Sequence, residues 1–164
     1  MQQWLPHVTV ATVIVKDGQY LLVEERDKYT GELVFNQPAG HLESGESLVE
    51  CAHRETLEET GWRVAITGVI GIALYTAPTN GTTYHRTTFL GEPSLEEPGY
   101  ELDKDIHAVH WMDYGEMQIN SARLRSPLVL AAVEQHRHGI CFPLDLRDAG
   151  HPSAPPQSSA GGRA

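Results

Sequence analysis

Residues 54 to 61 read RETLEETG and place three carboxylates, Glu55, Glu58 and Glu59, within about one and a half turns of a helix. Like charges at i,i+3 and i,i+4 repel by roughly 0.2–0.5 kcal/mol per pair even on an open helix surface. Counted at about 100° per residue from Ser47, the residues Leu48, Cys51, Ala52, Glu55, Glu58 and Glu59 share one arc, at the spacing of a core-facing stripe. The first half of that stripe is apolar and the second half is the carboxylates, while Glu50, His53 and Arg54 point elsewhere. Buried carboxylates cost on the order of several kcal/mol each unless cations or hydrogen bonds compensate. A hard divalent cation is the simplest compensation, because an all-oxygen ligand set suits magnesium or manganese and not zinc or copper. Arg54 lies four residues from both Glu50 and Glu58, so pairing with Glu58 is a second, weaker compensation. Taken alone, E-x-x-E-E also fits a solvated acidic helix.

The elements that must position these side chains are legible on either side. HVTVATVIV, from residue 7, and QYLLVEE, after the turn KDG, are β-branched and apolar runs that read as a hairpin. LVFNQPAGHLESGES reads as an ordered loop, and the helix runs over about 47–60, stopped by Gly61. WRVAITGVIGIALY and TTYHRTTFL, separated by APTNG, read as two further strands and IHAVHWM as a last one. A second helix spans about 126–137, opened by Ser126 as N-cap and Pro127 in the first turn. Strands mixed with two or three helices point to an α/β sandwich, a sheet with helices on both faces. One domain is expected over 1–147, and 148–164, small, Pro-rich and Gly-rich, reads as a disordered tail.

Composition narrows the partners. With 164 residues, 40 % hydrophobic, the chain suits one well-packed domain. A formal charge of −10 argues against holding duplex nucleic acid, which needs clustered Lys and Arg. No apolar run approaches the roughly 20 residues that span a bilayer, no signal peptide is apparent, and the two cysteines, Cys51 and Cys141, lack CxxC spacing. A cytoplasmic protein without membrane or duplex partner, monomer or homodimer, is the expectation. The histidines at 107 and 110 and at 136 and 138 read as surface or sheet residues beside an oxygen-ligand site.

Context sharpens the glutamates. Upstream stands GHLESGE, so the whole run is Gly40, five residues, Glu46, seven residues, Arg54, Glu55, two residues, Glu58, Glu59, one residue, Gly61. Over those positions the chain resembles the Nudix hydrolase family, departing at Thr56 and mildly at Trp62, where aliphatic residues are usual. The resemblance implies a Nudix-type α/β/α sandwich with a mixed sheet. It implies hydrolysis of an organic diphosphate by water attack on phosphorus, with Mg2+ as cofactor and Mn2+ as a substitute. Carried over residue by residue, it makes Glu55, Glu58 and Glu59 metal ligands, with the carbonyl of Ala39 as a further ligand. Arg54 then orients Glu58 or Glu55, and Glu46 helps hold the loop or a metal through water. The general base of many members lies on a loop after the box. Here ELDKDIHAVHW offers Glu101, Asp103 and Asp105, of which Asp105 is favoured.

A closer likeness inside the family, carried by PHVTVATVIV, NQPAGHLE, RETLEETG and LRSPLV over about residues 6–147, implies a phosphatase of nucleoside tri- and diphosphates and of thiamine-related pyrophosphates. For such small-molecule substrates, Phe35 and Tyr75 are candidates to stack a ring. Gln37, His41, Arg86 and Arg125 are candidates for polar edges and phosphates, Arg125 standing before a helix start whose free N–H groups attract phosphate. Two alternatives remain at this point. One is a housekeeping pyrophosphatase for oxidised nucleotides or RNA 5′ ends. The other is a nucleotide-sensing module without turnover, which would usually have lost box carboxylates that this chain keeps.

Overall fold

The computed structural model describes residues 4–146; the expected tail lies outside the described residues. Ten main elements follow in order: β1 (His7–Lys16), β2 (Gln19–Arg26), β3 (Leu33–Asn36), β4 (Ala39–His41), α1 (Leu48–Thr60), β5 (Trp62–Thr76), β6 (Thr83–Glu96), β7 (Ile106–Met112), α2 (Tyr114–Ile119) and α3 (Pro127–Arg137). The hairpin turn between β1 and β2 sets Asp17 and Gly18 at positive φ, 51° and 78°, the conformation that Asp and Gly tolerate best.

The sheet is mixed, in the order β3-β2-β1-β6-β5, with β4 also pairing β1 and β7 pairing β2. The β1–β6 pair is parallel and the other pairs are antiparallel. Alternation along β1 feeds two layers. Val10 joins Cys51 and Ala52 of α1 in one apolar cluster, and Val13 joins Val129 and Val133 of α3 in another. The α/β/α sandwich expected from the sequence is the fold observed.

Three local readings change. The stretch from 33 to 47 is not all loop: β3 and β4 are four and three residues long, too short for a period to show. Helix α2 is six residues, announced only by the capping box of Asp113 and Glu116. The buried arc of α1 is turned from the expected stripe. It takes in Cys51, Ala52, Glu55, Thr56, Glu59 and Thr60, and leaves Glu58 at its edge with 37 % of its side chain exposed.

Candidate functional site

The start of α1 is fixed by a reciprocal cap: Ser47 Oγ accepts from the Glu50 N–H, and the Glu50 carboxylate accepts from the Ser47 N–H. Gly61 at φ 71° closes the other end. With both ends set, Glu55 and Glu59 face β4. The Ala39 N–H donates to Glu59 Oε2 at 2.9 Å, and a Cβ on Gly40 would fall inside the Glu55 carboxylate. Glycine is required there by close approach. Burial pushes the Glu59 carboxyl well above the usual carboxylate range, against the Ala39 hydrogen bond, with the negative charges of Glu25, Glu55 and Asp103 adding to the push. Burial raises Glu55 as well, offset in part by Arg54.

Arg54 is the hub on the outer side. Its Nε and Nη2 grip both oxygens of Glu46, at 3.0 and 2.7 Å, and Nη2 also donates to the His41 carbonyl at 3.1 Å. Its Nη1 reaches Glu55 at 2.7 Å and Glu58 at 3.2 Å. Arg54 therefore bonds both glutamates that the sequence offered as alternatives. Glu46, held down at about 2 by the Arg54 hydrogen bond, also accepts the Glu43 N–H at 2.8 Å, so it braces the loop from inside and does not line the cavity.

That cavity, about 450 Å³, opens over the inner side of α1. Glu55, Glu59 and Ala39 lie on its wall, together with His41, Tyr75, Arg86, Arg125 and Asp105 from the sequence candidates. Glu58, expected as a third metal ligand, stands with Arg54 and Glu46 outside that lining, and two of the substrate-contact candidates are placed elsewhere. Phe35 is buried in the α2–α3 layer, its ring edge-on to His110 at 5.4 Å and under the Arg123 guanidinium at 4.3 Å, so no face is left for a substrate ring. Gln37 is buried too, donating to the Val129 carbonyl at 2.7 Å and accepting from Arg86 at 2.8 Å. It positions Arg86 and does not reach the cavity.

The loop before β7 separates its acids. Asp105 is held below the usual carboxylate range by a hydrogen bond from Lys28, whose Nζ stands 2.9 Å away. Asp103 also lines the cavity, its N–H donates to the Glu58 carbonyl at 2.9 Å, and its charge acts on Glu55 and Glu59. Sequence reading missed Glu25, whose carboxylate accepts from Asn36 at 3.0 Å and pairs with Arg125 at 3.3 Å. The signal was there in QYLLVEER, a buried strand ending in adjacent carboxylates.

These residues fit a hard divalent ion. Two buried carboxylates face a cavity, and among the described residues Glu59 has one hydrogen bond and no ion pair. The donor atoms at hand are oxygens. Among the described residues no three His, Cys, Asp or Glu side chains already converge as ligands, with Glu55 and Glu58 drawn onto the Arg54 guanidinium.

Comparison with known proteins agrees. The model of the NUDIX domain matches residues 5–133. The phosphatase NudJ of Escherichia coli K12 is 38 % identical over 141 residues, 86 % of this chain and 90 % of its own length, and NudJ of Shigella flexneri matches equally. A solved structure of a NUDIX hydrolase from Nitrosomonas europaea superposes with a TM-score of 0.86 at 42 % identity, covering 91 % of this chain and all of that one. Nudix hydrolases generally use divalent metal ions, in keeping with the oxygen-lined wall, and with the family model spanning most of its described length this chain belongs to the Nudix hydrolase family.

Proposed function

We propose that the protein is a magnesium-dependent phosphohydrolase of the NudJ type, acting on nucleoside tri- and diphosphates and on thiamine-related pyrophosphates. The observation that carries this reading is the pair Glu55 and Glu59, buried like charges set against β4 and open to a cavity that also holds Arg86, Arg125 and Lys28. Such an arrangement lowers stability unless a cation enters, and an anionic diphosphate needs the same cation. Magnesium, or manganese in its place, would supply charge neutralisation at the phosphoryl oxygens and a more acidic water. The chain's own part is orientation. The Ala39 N–H fixes one oxygen of Glu59, Gly40 lets the Glu55 carboxylate lie against the strand, and Arg54 sets Glu55 and Glu58. Arg125 stands before α3, and the Ser126 hydroxyl makes no capping bond there, so both can meet phosphate. The proton released by the attacking water goes to a carboxylate of the loop before β7. Asp103, facing the glutamates, is better placed than Asp105, which Lys28 engages.

Among the described residues no helix is long and apolar enough to cross a membrane. The reading carries with it a cytoplasmic location, small-molecule substrates, no duplex nucleic acid and a monomer or homodimer. Its test is a product assay: with magnesium, ATP should give ADP and inorganic phosphate, and thiamine diphosphate should release phosphate. AMP and pyrophosphate as first products would overturn the NudJ-type reading and leave the family assignment standing.

A further inference from the structure

With Phe35 engaged elsewhere, the tyrosines on the cavity wall are Tyr75 of β5, Tyr84 of β6 and Tyr29 of the turn after β2. Tyr75 and Tyr84 are direct cross-strand partners, so their side chains stand on one face, and both line the cavity. Tyr84 is fixed from two sides. Asn80 Nδ2 donates to its hydroxyl at 3.2 Å, and Asn80 is itself set by accepting the Thr82 N–H at 2.8 Å. Across from the turn, the His7 ring meets Tyr84 edge-on at 5.7 Å and the His41 ring lies 6.1 Å away, the two imidazoles sharing a hydrogen bond of 3.1 Å. Tyr29, however, is 62 % exposed and has no ring partner among the described residues. A ring held before the ligand arrives loses little freedom on binding, so Tyr84 is the preorganised platform.

Its position follows from three consecutive residues of β4. Ala39 bonds Glu59, Gly40 lies against Glu55, and His41 supports Tyr84. Ala39 and His41 are two residues apart on the strand, about 7 Å at roughly 3.3 Å per residue, so the carboxylates and the tyrosines are served by neighbouring positions of one short element. We propose that Tyr84, with Tyr75 beside it, is the platform for a planar heteroaromatic ring of the substrate and sets the preference for ring-bearing diphosphates over ringless polyphosphates. This rests on the phosphohydrolase reading for the position of the phosphates, and its test does not require turnover.

Titration calorimetry in magnesium would measure binding of β,γ-methylene ATP and of inorganic tripolyphosphate to wild type, Tyr84→Leu, Tyr84→Phe and Tyr75→Leu. Tyr84→Leu should weaken the nucleotide roughly ten-fold, the scale of one lost stack, and leave tripolyphosphate within about two-fold. Tyr84→Phe should keep most of the affinity, and Tyr75→Leu should show a smaller loss confined to the nucleotide. Equal losses for both ligands, or no loss for the nucleotide, would overturn the platform. If the nucleotide behaves as expected but wild type hydrolyses no diphosphate, the phosphohydrolase reading fails and the platform stands.

Discussion

Arg54 and Arg86 serve the same site in opposite electrostatic states. Arg54, with 24 % of its side chain exposed, meets Glu46, Glu55 and Glu58, and its pKa is raised chiefly by the Glu46 hydrogen bonds. Arg86 is 8 % exposed, and among the described residues it pairs with no carboxylate. There it bonds amide oxygens, Gln37 at 2.8 Å and Asn36 at 3.4 and 3.5 Å, its Nε is without a partner, and burial lowers its pKa to about 10. The amides cannot turn away, because Asn36 also donates to Glu25 and Gln37 to the Val129 carbonyl. The chain neutralises one guanidinium with its own acids and pins the other with neutral dipoles, which keeps a positive charge on the cavity wall. In the proposed reading, one arginine builds the site and the other is left to meet an anion.

The largest effect tests what the acids are for. Glu59→Gln keeps the shape and the acceptor for the Ala39 N–H but removes the charge proposed to hold the metal, so turnover with magnesium should fall on the order of 10²–10³-fold, as when a preorganised electrostatic group is lost. Steady-state rates on ATP check it. A loss below ten-fold would mean that Glu59 is not in the reacting assembly.

The two arginines then separate by what fails. Arg54→Ala leaves three carboxylates without their shared cation and frees the 41–46 loop, so chemical denaturation should show a loss of about 2 kcal/mol, below the range for fully buried pairs because the network is partly solvated. Arg86→Met removes a desolvated charge and strands two amide oxygens, opposing effects that should leave stability within about 1 kcal/mol. Its effect should appear in KM for ATP, raised about ten-fold, the scale of one lost charge-assisted contact. If Arg86→Met unfolds the protein while Arg54→Ala does not, the comparison is reversed.

How much of this could be read beforehand follows the same division. RETLEETG and the capped helix around it were legible because a helix period and a fixed spacing place charges on one arc from sequence alone. The edge of that arc was not: Thr56 and Thr60 lie on the buried side, which turns Glu58 outward. Phe35 and Gln37 were misplaced because β3 is only four residues long, and no periodicity tells which face such a strand offers the cavity. The Tyr75–Tyr84 pairing stands one step from Thr76–Thr83 at the mouth of the β5–β6 turn, so it hangs on the exact end of each strand, which the run APTNG leaves open by a residue or two; the three register irregularities lie farther along, between Arg63 and Gly71. Carboxylates on one helix are written locally, whereas a wall made by several strands is written in their pairing.

The smallest expected effect is on metal-free stability, and its pH dependence separates the two sides of α1. A carboxyl whose folded pKa is raised, as burial does to Glu59 and Glu55, binds protons more readily in the folded state. Its contribution to stability is fully present below the unfolded value near about 4.3 and is lost as pH rises through the folded value. Glu46, held at about 2 by Arg54, works the other way: its contribution is present above the unfolded value and is lost as pH falls toward 2. In chelator, Glu59→Gln should therefore match or exceed wild type at neutral pH, by about 0.5–1 kcal/mol or some 1–4 °C in Tm, with the gap closing as pH falls toward 4. Arg54→Ala should instead flatten the acid-side loss, because Glu46 returns to an ordinary carboxylate. Millimolar magnesium should reverse the order at pH 7, since an ion bound only by the folded state stabilises wild type by RT ln(1 + [L]/Kd) and the Gln variant far less. Thermal melts from pH 4 to 8, with chelator and then with magnesium, read all three. A Glu59→Gln protein several degrees less stable than wild type in chelator at pH 7 would make that carboxylate a structural partner of the Ala39 N–H, and the crowding in RETLEETG would have to be explained without a metal.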